Sequence, residues 1–226
     1  MSAYSLGEGG RTDQRFRGGD FLAEAHHRIA NSLTLLVALV SSRARQLGSR
    51  EQKLEPAEAA SLLGDVSARI AAVGSVHRIL TRIPDGSHVD VGQHLVELSE
   101  TIVSSLAEAG QFRLITAVDD TCAVSPDTAI SLSLCVAELL TNSIKYAHPA
   151  GAGGTITLVC RKSAHRDLEI SVIDDGVGLP EGFDAEAGGN LGFRTIRSLA
   201  SRAGATMRVE SGPLGLAVTL LVEGGC

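Results

Sequence analysis

Two adjacent histidines near the start of the chain are the first residues whose type and position could do chemistry. In a helix they are turned about 100° apart, so His26 lies on the apolar stripe while His27 points away from it. Glu24 and Asn31 share the polar face of His27. An exposed imidazole beside a hydrogen-bond acceptor such as Glu24 can act as a nucleophile toward phosphorus. Exposed histidines are common, so this geometry equally allows a plain surface residue, whereas His26 and the later His77 are expected in a core or an interface.

A second candidate group is a carboxylate, an amide and an ammonium with helical spacing. Glu138, Asn142 and Lys145 lie four and three residues apart, which places them on the same side of a helix. The carboxylate and the amide suit Mg²⁺ and its waters, and the lysine suits phosphate oxygens. Taken alone, the pattern also fits a solvated helix face.

Glycine-rich turns form the third candidate group. Asp174 and Asp175 end a strand-like run and lead into Gly176 and Gly178, whose small size lets the backbone approach a ligand. The sequence Gly-Gly-Asn-Leu-Gly at 188–192 precedes a helix and offers backbone N–H groups to a phosphate. Each turn is ambiguous by itself, because many unrelated turns have such a pattern.

The elements that must position these residues begin with two helices. Residues 20–47 and the residues from Pro56 to the turn at 84–86 repeat apolar side chains every three or four positions, which predicts an antiparallel hairpin. A two-helix hairpin cannot cover its own apolar seam, so we expect two chains to form a four-helix bundle. The stripe predicted for the second helix consists of Leu62, Val66, Ile70, Val73, His77 and Leu80.

After residue 88 the pattern changes to mixed helices and strands. Helices are predicted at 91–109, 126–147 and 191–204, and strands at 112–118, 155–161, 168–173, 206–210 and 216–222. This order predicts a two-layer α/β sandwich with helices on one face of a mixed sheet. The predicted fold class is therefore α+β, with a disordered segment at 1–19, the helical hairpin at 20–85 and the α/β domain at 88–226.

Composition narrows the class of protein. The 226 residues are 44% hydrophobic and only 3% aromatic, as expected for a globular core of aliphatic side chains. The net charge of −6 argues against nucleic-acid binding. The four cysteines show no CxxC spacing, so neither a disulfide framework nor a zinc site is expected. Without a bilayer-length apolar run or an export signal, we expect a cytoplasmic protein that does not enter the membrane.

Together, these segments resemble a known family. The run His27-Arg28-Ile29-Ala30-Asn31 resembles the phosphoacceptor box of the HRxxN (HWE-related) branch of sensor histidine kinases. Residues 134–147, 174–180 and 188–192 resemble, in this order, the N, G1 and G2 boxes of the GHKL (Bergerat-type) ATP-binding fold. The second likeness covers about residues 88–222.

The resemblance implies a role for each matching residue. It marks His27 as the phosphoacceptor, assigns Mg²⁺ binding to Asn142, and pairs Asp174 with the adenine amino group. It also implies an adenine pocket shaped by glycines and a lid over the phosphates. From helical spacing and the resemblance together, the predicted ATP-binding residues are Glu138, Asn142, Lys145, Asp174, Gly176, Gly178, Gly189, Leu191 and Gly192.

Three positions depart from the family pattern. Ala30 replaces the lysine common in the acceptor box, and the lid between Pro180 and Gly188 is short. Leu216 follows Gly215 where GHKL proteins often have a threonine, so one hydrogen bond on the adenine side is expected to be missing.

The function we expect is autophosphorylation of His27 from Mg-ATP, followed by transfer to an aspartate of a response-regulator receiver domain. Glu24 would orient or deprotonate His27, and a hinge around residues 82–90 would bring the two sites together. About twenty residues precede the acceptor helix, so sensory input is expected from a separate protein, from an excised domain, or not at all.

Three other functions stay open at this point. The first is a histidine phosphotransferase or response-regulator phosphatase with weak or no autokinase activity, in which Asn31 orients a water. The second is a GHKL ATPase with Glu138 as general base, which would not need His27. The third is a non-catalytic, ATP-responsive interaction module.

Overall fold

The computed structural model describes residues 55–80, 88–119, 122–149, 151–162, 167–183 and 191–224. It also describes six positions between 34 and 44, all helical, which agree with the first predicted helix. The predicted catalytic residues Glu24, His27 and Asn31 lie outside the described residues, as do Gly189 and the turn at 84–86.

The longer described segments form four helices and seven strands. The helices are α1 (Pro56–Leu80), α2 (Val91–Leu106), α3 (Pro126–Tyr146) and α4 (Leu191–Arg202). The strands are β1 (Val89–Asp90), β2 (Phe112–Val118), β3 (Ala123–Val124), β4 (Gly154–Lys162), β5 (Leu168–Asp174), β6 (Ala205–Gly212) and β7 (Gly215–Val222). The predicted helices and strands after residue 88 are confirmed to within three residues at each end. Only β1 and β3 were not predicted, because two residues carry no periodic signal.

The main sheet has the strand order β2-β4-β5-β7-β6. Strands β2 and β4 are parallel and the other neighbours are antiparallel, so the sheet is mixed, as predicted. Side chains such as Leu158 and Ile170 are buried in the core that the sheet shares with the helices, whereas Ile115 and Ile173 are exposed. The predicted α+β class, with one helical layer on one sheet, is confirmed.

Helix α3 lies at the centre of the helical layer, in contact with α1, α2 and α4. Its first turn is well defined, because the Ser125 hydroxyl accepts a hydrogen bond from the Thr128 N–H at 3.2 Å and Pro126 occupies the first turn. Leu132, Leu134 and Leu140 are fully buried. The helix that carries three of the predicted site residues is therefore held firmly by the core.

Helix α1 docks on the rest of the molecule mostly through residues outside the stripe that its sequence predicts. The side chains buried there include Asp65, Ala68, Arg69 and Ala72, whereas of the predicted stripe Val73 packs partly buried against the core and Ile70 is 57% exposed. Helix α1 packs on α2 and α3 with a face of alanines and paired charges. Such a face gives no apolar signal, which is why the stripe did not identify it.

One of the described cysteines differs from the prediction that disulfides are absent. Cys135 and Cys160 are free and buried, whereas Cys122 is disulfide-bonded, contrary to the prediction from spacing. Disulfides that join distant residues leave no local spacing pattern, so the sequence could not reveal this bond. Within the described ranges, no group of three or more histidine, cysteine, aspartate or glutamate side chains is placed to hold a metal ion. The helices described there are also too short or too polar to cross a membrane.

Candidate functional site

The site is built around the carboxylate of Asp174, at the end of β5 and 5% exposed. Its Oδ2 accepts a hydrogen bond from the Ser143 hydroxyl at 2.8 Å. Its Oδ1 accepts from the backbone N–H groups of Gly176 at 3.1 Å and Leu216 at 3.3 Å. A carboxylate has about four acceptor positions, so the described donors leave about one for a further N–H. Asp174 is thus oriented by the protein with acceptor capacity to spare.

Glycines bring the backbone close around this carboxylate. A Cβ added at Gly176 would collide with the backbone of Ala147, at the end of α3, and the Val177 N–H donates to the Ala147 carbonyl at 2.9 Å. A Cβ at Gly215 would collide with the Asp174 carbonyl. The loop after β5 therefore lies directly on the end of α3 and on the start of β7.

Gly178 fixes the other side of the same loop. Its φ is 71°, and a Cβ there would collide with the carbonyl of Gly212. The next residue, Leu179, donates its N–H to the Ser211 hydroxyl at 2.8 Å. The loop that begins at Asp174 thus spans from α3 to the β6–β7 turn, and its two predicted glycines are required by close backbone contacts.

Asn142 has the clearest mark of a missing partner. It lies one residue before Ser143 on α3, and its side-chain nitrogen Nδ2 is buried without a hydrogen-bond partner among the described residues. Buried amide groups are nearly always hydrogen-bonded. Its amide offers an oxygen to a cation and N–H donors to phosphate oxygens. Its oxygen fits the Mg²⁺ role that the sequence predicts, and its unpartnered nitrogen adds a donor for a phosphate oxygen, which the sequence assigned to Lys145 alone.

Glu138 and Lys145, the other predicted residues of this helix face, are both engaged by α1. Glu138 forms an ion pair with the Arg69 guanidinium, and Lys145 forms one with Asp65. Desolvation by burial lowers the pKa of Arg69, but its hydrogen bond to Glu138 and the charges of Glu138 and Asp65 outweigh this and raise the pKa overall. These partners, which lie 69 and 80 residues away, were not predictable from the local sequence pattern.

Asp175, the second aspartate of the turn, has a structural role. Its Oδ1 accepts from the Thr155 N–H at 2.8 Å and contacts His148 Nε2 at 2.9 Å. Desolvation by burial raises the pKa of Asp175, but the hydrogen bonds from Thr155 and His148 outweigh it and lower the pKa below its usual value. This carboxylate fastens the loop to β4 and leaves ligand contacts to Asp174.

The structure brings together part of the predicted set. Asp174 and Gly176 meet the end of α3 through Ser143 and Ala147, while Gly178 holds the same loop against the β6–β7 turn. Asn142 lies next to Ser143 on α3, with Glu138 and Lys145 at helical spacing from it. Of the predicted lid residues, Leu191 begins α4 and Gly192 is half-buried, while Gly189 lies outside the described residues.

Three residues of the site were missed. The hydroxyl of Ser143 binds Asp174, Ser211 holds the loop after Gly178, and Gly215 makes room beside Asp174. Leu216 indeed offers no side-chain hydroxyl, but its backbone N–H binds Asp174. The signal for Ser143 was its place directly after Asn142 on the predicted site helix.

Comparison with known proteins agrees with this geometry. Residues 24–106 match the family described as histidine kinase, and residues 127–224 match the family of histidine kinase-, DNA gyrase B- and HSP90-like ATPases. The chain is similar to the sensor histidine kinase PdtaS of Mycobacterium tuberculosis, with 31% identity over 181 residues. It is also similar to the blue-light-activated histidine kinase 2 of Erythrobacter litoralis, with 30% identity over 203 residues.

A solved structure extends the similarity to three dimensions. The histidine kinase domain of a blue-light-activated kinase from Erythrobacter litoralis superposes with a TM-score of 0.69 and 26% identity, covering 90% of this chain and 91% of that one. The matched regions are 80% and 88% of this chain, but only 34% of PdtaS and 56% of the blue-light kinase. The chain therefore belongs to the histidine kinases and contains an ATP-binding domain of the type they share with DNA gyrase B and HSP90.

Proposed function

We propose that this chain autophosphorylates His27 from Mg-ATP and passes the phosphoryl group to an aspartate of a response-regulator receiver domain. The observation that carries the ATP half of the proposal is the arrangement of Asp174 and Asn142. One is a buried carboxylate with acceptor capacity to spare, and the other is a buried amide with an unpartnered donor. An adenine amino group and a phosphate group satisfy both.

The nucleotide half of the site positions the substrate. Asp174 accepts the adenine N–H, Gly176 and Gly178 let the loop approach the ring, and Leu191 and Gly192 with Gly189 close over the phosphates at the start of α4. Asn142 would hold Mg²⁺, with Glu138 beside it and Lys145 toward the phosphate oxygens. The metal would neutralise charge on the transferring phosphate.

The acceptor half supplies the nucleophile. The unprotonated ring nitrogen of His27 attacks the γ-phosphorus, the bond from phosphorus to the ADP oxygen breaks, and a phosphorus–nitrogen bond forms. Glu24 holds the proton of the other ring nitrogen. Transfer to the receiver aspartate then forms a phosphorus–oxygen bond to its carboxylate, breaks the phosphorus–nitrogen bond and regenerates His27.

The partners follow from this chemistry. The proposal includes a homodimer through the hairpin, a response regulator as phosphoryl acceptor, and a sensory input from a separate protein or a further domain. A cytoplasmic location, where response regulators meet their kinases, stays a prediction.

One contact bears on the ATPase alternative. While helix α1 is docked, Glu138 is 9% exposed at its side chain and paired with Arg69, so in this state it does not serve a water molecule as a general base.

Radiolabelling tests the proposal. The purified chain, incubated with γ-labelled ATP and Mg²⁺, is expected to acquire an acid-labile, alkali-stable label, as phosphohistidine does. Asn142→Ala should slow labelling by about a hundredfold or more. Lys145→Ala should also slow it, whereas the matched variant Lys162→Ala, on an exposed strand position, should not. Acid-stable label contradicts the proposal, and Asn142-dependent ATP binding without any label favours the phosphotransferase or phosphatase role.

A further inference from the structure

Helix α1 docks on the face of α3 that carries the proposed nucleotide contacts. Asp65 pairs with Lys145 and Arg69 pairs with Glu138, so the two helices run antiparallel at this contact. Asn142 lies between Glu138 and Lys145 in the spacing of this face. The two ion pairs therefore bracket the amide that is proposed to bind Mg²⁺.

The charges that α1 brings match those of the ligand. A carboxylate, Asp65, meets Lys145 where a phosphate oxygen is proposed to bind. A guanidinium, Arg69, meets Glu138 where a divalent cation is proposed to lie. Helix α1 thus places a negative group on Lys145, where a phosphate would lie, and a positive group on Glu138, where the metal would lie.

Both ion pairs are buried, so helix α1 and the ligand cannot easily contact Glu138 and Lys145 at the same time. The side chains of Arg69 and Asp65 are 4% and 7% exposed, and those of Glu138 and Lys145 are 9% and 18% exposed. A buried charge is costly without a group of opposite charge nearby. Helix α1 supplies such groups to Glu138 and Lys145 here, and the ligand would supply them in its place.

The rest of the contact suits a reversible docking. The buried apolar side chains of α1 in the described core are Ala68 and Ala72, and Val73 packs partly buried against it. The two alanines are small and contribute little apolar area. Release of α1 therefore removes few large apolar side chains of its own from the core, and the ligand would replace the partners of the two charged pairs.

We propose that helix α1 is an internal competitor of Mg-ATP, in which Asp65 and Arg69 occupy Lys145 and Glu138 until the nucleotide displaces them. The inference rests on the proposed function, because it takes Glu138 and Lys145 as nucleotide contacts. Competition is reciprocal, so nucleotide binding releases α1 to the same extent as α1 weakens nucleotide binding. Occupancy of the ATP site would then free the hairpin for the movement that phosphorylation of His27 requires.

Nucleotide titration of neutral variants tests the competition. The full chain is titrated with a fluorescent ATP analogue and Mg²⁺ as wild type, Asp65→Asn, Arg69→Gln and the double variant. The double variant is expected to bind about tenfold more tightly than wild type. Arg161→Gln, which changes an exposed arginine on β4, is the matched control and should bind like wild type.

The outcomes separate this inference from the function on which it rests. If wild type binds nucleotide and Asn142→Ala does not, but the α1 variants bind equally or more weakly, the competitor role is overturned and the nucleotide site stands. If wild type and every variant fail to bind, the nucleotide site itself is wrong and the inference falls with it.

Hydrogen exchange provides a test that needs no variant. In the wild-type chain, Mg-ATP is expected to speed amide exchange in residues 60–75 of α1 while it slows exchange around Asn142 and Asp174. Slower or unchanged exchange in α1 at saturating Mg-ATP overturns the competitor role, even if the variants prove too unstable to study.

Discussion

At the scale of single residues, Asp174 is oriented before any ligand arrives. Among the described residues, three donors hold its two oxygens, and one of them, the Ser143 hydroxyl, comes from a side chain. Because the two backbone donors cannot be removed by substitution, Ser143 is the position at which the orientation of Asp174 can be tested.

We predict that Ser143→Ala weakens ATP binding by about tenfold, since a hydrogen bond to a carboxylate is worth roughly 1.5–3 kcal/mol. Ser143→Thr keeps the hydroxyl and should restore most of the affinity. Ser131→Ala removes a hydroxyl from the same helix that donates to the Asp127 carbonyl, and it should leave affinity unchanged. Calorimetric titration measures all three, and equal affinity of Ser143→Ala and wild type would contradict the assigned role.

Gly178 allows a second test, because the chain contains a matched glycine. Gly178 and Gly182 have φ values of 71° and 75°, so alanine is strained by a similar amount at both. Only at Gly178 does a Cβ collide with a carbonyl, that of Gly212. We predict that Gly178→Ala lowers the free energy of unfolding by about 1–3 kcal/mol more than Gly182→Ala does, as measured by urea denaturation. Equal losses would show that the loop is not held by this contact.

Whether a site residue could be predicted from the sequence depends on how far along the chain its partner lies. Asn142 and Asp174 stand in recognisable local patterns, so their types and spacing were enough to select them. Ser143, Ser211 and Gly215 act through partners on other elements, 31 residues away for Ser143. Such pairings exist only once the sheet and helices have packed.

At the scale of elements, α1 has one face that is buried and one that is exposed. Asp65, Ala68, Arg69 and Ala72 are buried against the α/β part, whereas Leu63 and Ile70 are 71% and 57% exposed. Leu63 and Ile70 are seven residues apart, which places them on one side of the helix. The periodic pattern predicted the helix itself, but it could not tell which face would meet which partner.

We predict that the exposed face of α1 contributes to the proposed dimer. Replacing Leu63 and Ile70 together by glutamate should convert a two-chain species into a single chain, because four charges cannot be buried in one bundle. Leu214→Glu alters an apolar side chain that is 89% exposed on the β6–β7 turn, and it should leave the mass unchanged. Light scattering after size exclusion measures the mass, and a double variant that stays dimeric rules out this face.

At the scale of the whole molecule, the two buried thiols make stability depend on alkaline pH. Burial raises the pKa of Cys160 from its usual 9.0 to about 12, and burial likewise raises the pKa of Cys135, with the charge of Glu138 adding to the effect. Below pH 9 the folded and unfolded chains both keep these protons, so stability does not depend on them. Above it, only the unfolded chain loses them readily, and the free energy of unfolding must fall.

We predict that the free energy of unfolding falls by up to about 1.4 kcal/mol per thiol for each pH unit between pH 9.5 and 11. In Cys160→Ala, the free energy of unfolding should fall less steeply with pH, because the contribution of one thiol is missing. The variant is also less stable at neutral pH, because the thiol fills core space. Urea unfolding at several pH values gives both slopes. Identical slopes for the variant and wild type would mean that Cys160 is accessible to solvent.

The whole architecture was easier to predict than its internal contacts. The change of periodicity at residue 88 and the order of helices and strands indicated a helical region followed by an α/β sandwich, and the structure confirms that order. The docking of α1 on α3 was not predictable, because it depends on two charge pairs between residues that are far apart in sequence.

The phosphoryl group of ATP is proposed to go to His27, and the adjacent residue, His26, allows the most direct test. Phosphohistidine formed from γ-labelled ATP and Mg²⁺ is measured in wild type, His27→Ala and His26→Ala, with nucleotide binding of each checked in parallel. We predict that His27→Ala binds ATP but gains no label, whereas His26→Ala is still labelled. Acid-labile label that persists in His27→Ala, or that is lost only in His26→Ala, would contradict the assignment of His27 as phosphoacceptor.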